Sequence, residues 1–356
     1  MRSGQPNVLE INDWIIANLP AGSVVGFDPF LVSTSQAKSL KKVLESKGIN
    51  IKCCSGIEGE NPVDIAWNAA GTRPPFPKNA LLILDVKNAG VPHSYKIRAV
   101  QAVVIEKNAV AILITMLDEI AWLFNIRGSD ISFNPVTIAY AVITRDNAVL
   151  FIDAAKVTPE ISVHLGSGVQ LRPYEDICSF LKEIVSQGSG PVLMDPSRVN
   201  WGVYLAAEEG GSNSSEGQGA SSITVKVVDT GSPITLEKSL KNESELAGIR
   251  ACHIRDGVAL TAFLHWLENT VRFTDQQVRS VLGSSILGVA FCILYSKCCV
   301  RCEFRTLQLS EFEVTEKIEE FRSKMLYHVG PSFSTIAGYG PNGAIIHYHP
   351  EVIYAV

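Results

Sequence analysis

The stretch with the clearest chemical signature is residues 338–350, near the end of the printed chain. Glycine, proline and asparagine are concentrated in residues 338–343, and these residue types favour turns. The apolar residues 344–346 then lead directly into His347. This pattern predicts a turn and a short strand that presents His347 at its end. Imidazole exchanges protons near neutral pH, so His347 is a candidate functional residue, although a lone histidine is more often structural.

A second candidate group comprises Asp118, Glu119, Arg127 and Asp130. Carboxylates close to a guanidinium can act as an acid/base set. The same residue types also cap helices and form ion pairs. Their spacing alone leaves both interpretations open.

Four of the eight cysteines are clustered: Cys292, Cys298, Cys299 and Cys302. Clustered thiolates can bind zinc, but only one Cys-x-x-Cys pair is present where structural zinc sites use two such pairs or histidines. A secreted disulfide framework is not expected in a chain of this size. We therefore favour reduced thiols and predict no metal site here.

The composition excludes several classes of partner. The 356 residues are 46% hydrophobic, enough for two or three domains with their own cores. A net charge of −5 and the absence of Lys or Arg runs argue against nucleic acid and against an anionic membrane. Residues 1–6 carry no apolar segment, so no signal peptide is expected.

Residues 24–53 predict a β-α-β unit. A short apolar strand ends at Asp28-Pro29, residues 35–47 carry apolar side chains at helical spacing, and residues 49–53 alternate like a second strand. This unit alone has too few strands to bury a sheet.

The same order of elements returns in residues 191–228. An apolar strand ends at Asp195-Pro196, a helix is predicted over 199–209, and a strand follows a Gly/Ser-rich segment at 210–222. We interpret the two stretches as copies of one structural repeat.

The proline-rich residues 73–77 predict a joint between domains. The elements beyond it predict an α/β sandwich with a mixed sheet. Gly128 is expected to end the helix over 117–124 in a left-handed turn. The predicted helices are 94–107, 117–124 and 174–185, and the predicted strands are 109–114, 137–144, 148–153 and 169–172.

The last third of the chain predicts two helices. Asn242 with Glu245 forms a capping-box pattern ahead of the longest helix, whose apolar stripe includes His253, so we expect His253 to be buried. Ser310 with Glu313 forms a second capping box. Its helix presents an apolar face of Val314, Ile318 and Phe321.

Between these helices, residues 281–295 are apolar on every side. The run is shorter than the roughly 20 residues that a membrane helix needs. It fits either a buried hairpin or helix or a stretch foreign to the domain, and we favour the second.

Four stretches together resemble the Xaa-Pro aminopeptidases (aminopeptidase P), and most of all the plant members. Their order and spacing along most of the chain carry the resemblance. The stretches are 117–131 (LDEIAWLFNIRGSDI), 232–234 with 241–243 (SPI and KNE), 253–257 (HIRDG) and 342–348 (NGAIIHY).

The resemblance implies an α/β fold of two creatinase-type N-terminal domains followed by a pita-bread α+β catalytic domain. Residues 1–73 would be the C-terminal part of the first N-terminal domain, which is incomplete, and residues 81–235 the second. Residues 236–356 would be the truncated start of the pita-bread domain, with an atypical insert at about 273–308. In this frame Asp118, Glu119, Arg127 and Asp130 fall on a structural stretch, and we interpret them as caps, ion pairs and domain contacts.

The resemblance also implies a reaction, which is hydrolysis of the bond between a first residue and a proline in second position. That bond resists ordinary aminopeptidases because its nitrogen lacks a hydrogen. Family members use two metal ions, usually manganese, and work as dimers. Their two Asp, one His and two Glu ligands follow the His-Tyr stretch, so no metal ligand and no catalytic residue is assigned to this chain. His347 matches the family histidine that contacts the substrate.

Two hypotheses of function follow. In the first, the chain is a fragment of a metal-dependent Xaa-Pro aminopeptidase, inactive by itself, whose substrate is a proline-containing peptide. In the second, it is a non-catalytic dimerisation or regulatory protein derived from the N-terminal domains. A cytoplasmic location is expected, with a plastid as the alternative, and a homodimer is expected.

Overall fold

The computed structural model describes residues 8–55, 61–187, 190–212, 226–227, 232–270 and 309–350. The chain forms two compact units, one of Met1–Ile131 with Pro135–Lys241 and the other of Ser132–Asn134 with Asn242–Val356. Each unit is described by itself. The cysteine cluster, the apolar run 281–295 and the predicted insert 273–308 lie outside the described residues.

The first unit begins with the predicted β-α-β unit. Its two strands pair in parallel, as expected from the crossover helix between them. Ser33 begins that helix with a capping box to Gln36. The elements are α1 (Ile11–Asn18), β1 (Val24–Phe27), α2 (Thr34–Glu45), β2 (Asn50–Cys53) and α3 (Pro62–Ala70).

A larger α/β body follows in the same unit. It contains a two-stranded antiparallel sheet, β3 (Leu82–Ile83) with β5 (Ile126–Arg127), and a six-stranded sheet. The other elements are α4 (Val86–Ala89), α5 (His93–Glu106), β4 (Ala111–Ile114), α6 (Leu117–Leu123), β6 (Tyr140–Thr144), β7 (Ala148–Phe151), α7 (Pro159–Leu165), β8 (Val169–Arg172), α8 (Ile177–Gln187), β9 (Val192–Met194), α9 (Trp201–Ser212), β10 (Lys226–Val227) and α10 (Pro233–Ser239).

The six-stranded sheet has the order β10-β9-β4-β6-β7-β8. Strand β4 pairs in parallel with β9 and antiparallel with β6, and the β6–β7 hairpin is antiparallel. Strand β8 is parallel to β7. The predicted mixed sheet is confirmed.

Two hydrophobic cores lie on the two faces of this sheet because side chains alternate along each strand. Ile112 and Ile114 of β4 belong to one core, with helices α5, α6 and α7, whereas Ala111 and Leu113 belong to the other, with α8 and α9. Helices therefore cover both faces, which explains why all four residues of β4 are buried.

The two copies of the repeat contact each other through matching residues. The amide of Thr34 donates to the carbonyl of Val199 at 2.8 Å, and the amide of Trp201 donates to the carbonyl of Val32 at 2.9 Å. The spacing is the same in both copies, because Thr34 is the second residue after Val32 and Trp201 is the second residue after Val199.

A second pair of bonds repeats the exchange. Ser35 donates to the carbonyl of Pro196 at 2.9 Å, and Gly202 donates to the carbonyl of Pro29 at 2.9 Å. Each copy thus uses the first-turn amides of its helix to bind the carbonyls of the other copy's Asp-Pro turn. The contact is reciprocal, and each copy pairs its two strands in parallel around its helix. The repetition of a whole domain stays a prediction.

The predicted left-handed turn at Gly128 is wrong. Asn125 carries the positive φ, of 51°, after helix α6. Its buried side chain accepts a hydrogen bond from Lys96 at 2.8 Å and donates one to the carbonyl of Val91 at 2.8 Å, and these contacts hold the left-handed conformation. Gly128 is instead required for a close approach, because a Cβ there would lie 2.7 Å from the carbonyl oxygen of Val136.

The second unit contains two packed helices, α11 (Glu243–Thr270) and α12 (Glu311–Ser323). Both predicted capping boxes are confirmed, at Asn242 with Glu245 and at Ser310 with Glu313. The core between the helices contains Phe263, Leu264, Leu267 and Ile318, with Val314 and Phe321 against it.

The prediction of a buried His253 is wrong, since His253 is exposed. Helix α12 packs against the last part of α11, whereas Ile254 and Val258 are 70% and 55% exposed. Helical periodicity identifies an apolar stripe but not how much of its length is covered.

Candidate functional site

The loop that carries His347 is fixed to the first residue of α12. Both carboxylate oxygens of Glu311 accept hydrogen bonds from this loop. The donors are the backbone amide of Tyr339, the side-chain amide of Asn342 at 3.0 Å and the hydroxyl of Tyr348 at 2.5 Å. The Asn342 amide also donates to the Tyr348 hydroxyl at 3.0 Å. One carboxylate therefore holds both ends of the loop.

The predicted strand before His347 is wrong. Residues Gly340–Ala344 form a 3₁₀ helix, and a turn follows it. An extended strand advances about 3.3 Å per residue and would separate Asn342 from Tyr348 by about 20 Å. Because both side chains bind Glu311, the chain between them has to fold back.

His347 lies at the tip of this fold, with an exposed side chain and a φ of 56°. A positive φ is unfavourable for a residue with a β-carbon and persists only where the surroundings impose it. The ring makes no hydrogen bond to any residue that the structure describes. The imidazole is therefore accessible, and its backbone is held by its neighbours.

Further contacts fix the approach to the loop. Glu319, on α12, accepts a hydrogen bond from Thr335 at 3.0 Å, and Ser334 contacts Nδ1 of His349 at 2.8 Å. Arg322 joins α12 to α11 through Asp256 at 2.8 Å. Residues 334–349 are thus attached to the helix pair at several points.

The acid/base interpretation of the charged group around Asp118 is wrong, and the ion-pair interpretation is confirmed. Asp118 pairs with Lys238. Burial raises the pKa of Asp118, but the hydrogen bond and charge of Lys238 outweigh burial and hold that pKa below its usual value. Glu119 is buried and accepts from Arg198 at 2.7 Å and from Thr235 at 2.6 Å.

The other two members of that group are also structural. Arg127 donates hydrogen bonds from Nη1 to the backbone carbonyls of Ala121 and Ile126. Asp130 pairs with Lys156 at 2.6 Å, and both side chains are 0% exposed. Three of the four members, Asp118, Glu119 and Asp130, are thus paired with basic side chains.

A cavity of about 400 Å³ in the first unit contains none of the predicted site residues. It lies where the two copies of the repeat meet, and burial raises the pKa of Tyr140 and Tyr174 in its wall. Its lining comprises Phe30, Leu31, Val32, Ser33, Gln36, Thr115, Leu117, Ile138, Ala139, Tyr140, Tyr174, Arg198 and Asn200.

Sequence reasoning missed Glu311. It looks like an ordinary acidic residue in the first turn of a helix, and the capping box draws attention to Glu313 instead. The bonds of Glu311 span 28 to 37 residues, so no local pattern reveals them.

The ranges that the structure describes contain no group of three or more His, Cys, Asp or Glu side chains able to hold a metal ion. The described residues therefore do not fit a two-metal centre. The expectation that this chain binds no metal remains a prediction. Within the same ranges, no helix is long and apolar enough to cross a membrane.

A pair of neighbouring histidines in the first unit, with rings tilted by 49°, makes stability sensitive to pH. The rings of His93 and His164 lie 4.8 Å apart. Burial, with the neighbouring charges of His164 and Lys96, lowers the pKa of His93 below its usual value of 6.5, although its bond to the carbonyl of Leu165 opposes this. Below pH 6.5 the unfolded chain takes up a proton that the folded chain resists, so stability falls as the pH drops from 7.5 to 5.

The measurement is a urea denaturation midpoint at pH 7.5 and pH 5. The variant His93→Gln should show a smaller drop in midpoint between the two pH values than the wild type. Exposed His265 offers a matched control, since His265→Gln should leave the drop unchanged. Equal drops in wild type and His93→Gln would contradict the assignment.

Comparison with known proteins identifies the class of these two units. Residues 72–245 match the creatinase/prolidase N-terminal domain, and residues 247–355 match metallopeptidase family M24. The larger α/β body and the helix pair with the His347 loop fall within these two matches. The chain thus combines a creatinase/prolidase N-terminal domain with an M24 metallopeptidase region.

Whole-chain relatives narrow the assignment. The chain is 36% identical over 357 residues to a probable Xaa-Pro aminopeptidase P of Aspergillus clavatus, covering 99% of this chain and 46% of the relative. It is 35% identical to a protein of the same description from Aspergillus niger, covering 95% and 48%. Over nearly its whole length the chain is similar to Xaa-Pro aminopeptidases P, and it spans about half the length of the curated relatives it matches.

A solved structure agrees with this assignment. The X-prolyl aminopeptidase of Caenorhabditis elegans, a cytosolic enzyme with a di-nuclear active site, matches with a TM-score of 0.72 and 27% identity. The match covers 94% of this chain and 46% of that enzyme. The predicted fold class is thereby confirmed as a mixed α/β chain with a creatinase-type domain and part of an M24 region, whereas the similarity to plant members remains a prediction.

Proposed function

We propose that this chain is part of a metal-dependent aminopeptidase that removes the N-terminal residue from peptides with proline in second position. The observation that carries the proposal is the succession of a creatinase/prolidase domain and an M24 region along a chain 36% identical to aminopeptidases P. The geometry of the His347 loop supports it, because a substrate contact requires an accessible side chain held in one place.

Within that function, His347 contacts the peptide close to the scissile bond. The proline nitrogen of that bond has no hydrogen to donate, so recognition has to use the carbonyl oxygen and the shape of the ring. An imidazole that donates to the carbonyl stabilises negative charge as it develops there. The exposed ring of His347 is free to make such a contact.

We further propose that the 356-residue chain does not hydrolyse the bond by itself. The support is the resemblance, which places the two Asp, one His and two Glu metal ligands after His347-Tyr348. Two manganese ions would then be held by the M24 region of the longer enzyme.

The proposed domains are 1–73, 81–235 and 236–356. The proposed assembly is a homodimer. The proposed location is the cytoplasm, with a plastid as the alternative.

The assay uses the tripeptide Ala-Pro-Ala with manganese chloride and follows the release of free alanine. We expect no release above the blank from the purified 356-residue chain. We expect metal-dependent release from a product extended by any coding sequence found beyond Val356, and a loss of at least tenfold in kcat/KM when that product carries His347→Ala. Metal-dependent release by the 356-residue chain would contradict its proposed inactivity.

A non-catalytic dimerisation or regulatory role is the second candidate. The observation that favours it is the first unit, whose six-stranded sheet has a hydrophobic core on each face. A spliced message that ends after Val356, together with a stable dimer of the purified chain, would support this role. An extended product with hydrolytic activity would support the first proposal instead.

A further inference from the structure

The carboxylate of Glu311 joins the first residue of α12 to both ends of the His347 loop. It binds one backbone amide, one side-chain amide and one hydroxyl. Three donors on two oxygens is a number that an ionised carboxylate can satisfy and a neutral amide cannot, since the carboxylate offers about four lone-pair sites.

The contacts of Glu311 exceed what its place in the helix requires. An acidic residue at the first position of a helix is already stabilised by the helix dipole. The helix cap at this end is formed by Ser310, whose hydroxyl accepts from the amide of Glu313, and not by the Glu311 side chain. Its oxygens bind loop residues 28 to 37 positions later in the chain.

His347 shows what the clamp achieves. Its φ of 56° is a left-handed conformation that is unfavourable for a residue with a β-carbon. Tyr348, the next residue, is bonded to Glu311 at 2.5 Å, and Asn342 approaches the same oxygen from the other side at 3.0 Å. Because residues on both sides of His347 are hydrogen-bonded to Glu311, the backbone at His347 is held in this conformation. Its side chain is exposed to solvent.

We infer that Glu311 is a positioning residue for substrate binding: by binding Tyr339, Asn342 and Tyr348, its carboxylate holds His347 in the conformation that meets the peptide. Glu311 does not touch the substrate and acts through the loop. The inference rests on the proposed function of His347.

The first test measures the clamp without any substrate. The variants are Glu311→Ala and, as a matched control on the exposed part of the same helix, Glu316→Ala. Hydrogen exchange of the Tyr339 amide should be about tenfold faster in Glu311→Ala, the effect of losing one charge-assisted hydrogen bond, and unchanged in Glu316→Ala. The exchange rate of the Tyr339 amide in Glu311→Gln should lie between the rates in these two variants, because glutamine keeps one acceptor oxygen.

The second test separates positioning from a purely structural role. The ring signal of His347 is followed by NMR in histidine-labelled full chain, assigned with His347→Gln, while Ala-Pro-Ala or Ala-Ala-Ala is added. In wild type and Glu316→Ala, Ala-Pro-Ala should shift the signal and Ala-Ala-Ala should not. In Glu311→Ala the titration midpoint should rise at least fivefold while the helix signals of α11 and α12 stay unchanged.

A coupling test completes the design. Tyr348→Phe removes one donor, so in the Glu311→Ala background it should have little further effect, whereas alone it should weaken the response to the peptide. Unchanged Tyr339 exchange in Glu311→Ala would overturn the clamp, and faster exchange with an unchanged peptide response would overturn the positioning role. No response of the wild-type His347 signal would instead contradict the proposed peptide contact of His347, on which the inference rests, and would leave the fast Tyr339 exchange in Glu311→Ala as evidence for the clamp alone.

Discussion

Replacing Lys156 by methionine is expected to lower the free energy of unfolding of the first unit by about 3–5 kcal/mol. The Nζ of Lys156 lies 2.6 Å from Oδ2 of Asp130, and both side chains are 0% exposed. Methionine has a similar length and fills the space, so the expected loss comes from charge rather than from a cavity. The Lys156→Met substitution leaves the Asp130 carboxylate buried and without its counterion.

The remaining contacts of Asp130 do not replace the lysine. Thr137 donates to Oδ2 at 2.9 Å and the amide of Ile138 donates at 2.6 Å, so all three bonds converge on one oxygen. Among the described residues the other oxygen, Oδ1, is buried with no hydrogen-bond partner. Of these three donors, only the ammonium group of Lys156 carries a charge opposite to that of the carboxylate.

Hydrogen exchange of the amides in β6 and β7 measures this effect, because these buried strands open only when the first unit unfolds. The exposed pair Lys41–Glu45, at 3.9 Å with side chains 54% and 55% exposed, is the control, and Lys41→Met should change stability by at most about 0.5 kcal/mol. The double variant Asp130→Asn/Lys156→Met should be more stable than either single variant. A loss below 1 kcal/mol in Lys156→Met would show that the pair is not needed.

Short-range features of the fold could be predicted from the sequence because their causes lie within a few residues. The Asp-Pro turns at Asp28 and Asp195 each stop an apolar strand ahead of a helix, and that pattern predicted the repeat. The capping boxes at Asn242 and Ser310 involve residues three positions apart. The hairpin of β6 and β7 is equally local, because two apolar runs flank the short polar turn at residues 145–147, so its strands could be placed from the residue pattern alone.

Features that depend on distant contacts could not be predicted. The bond between Thr34 and Val199 joins residues from the two copies, and the repeat alone does not say that they face each other. The folding back of residues 338–350 follows from a glutamate on another element. His253 shows the same limit, because the apolar stripe on α11 extends beyond the part of the helix that α12 covers.

Gly128 is the second position where a large effect is expected. Both Gly128→Ala and Gly128→Asn should lower the free energy of unfolding of the first unit by about 2–3 kcal/mol. A Cβ at this position would lie 2.7 Å from the carbonyl oxygen of Val136 and 2.9 Å from Cβ of Thr137. The obstacle is backbone that is itself bonded, since Asp130 donates its amide to the same Val136 carbonyl at 3.2 Å.

The comparison of alanine with asparagine decides why glycine occurs here. At a left-handed helix end, asparagine is tolerated better than alanine, because the strain comes from φ. Gly71 is such a position: it ends α3 with a φ of 67°, and no atom lies within 4 Å of an added Cβ. There, amide exchange in the last turn of α3 should show alanine to be destabilising by about 1 kcal/mol and asparagine by less.

At Gly128 any Cβ meets the same carbonyl, so asparagine should be at least as harmful as alanine when measured by exchange in β6. The sequence pattern predicts the opposite order at this position, because it places the left-handed turn at Gly128 and not at Asn125. Asparagine better tolerated than alanine at Gly128 would therefore restore the prediction from sequence and contradict the close approach. If both substitutions are harmful, this glycine is needed for the contact between the chain after α6 and residues 136–137, which aligns Asp130 with its buried lysine.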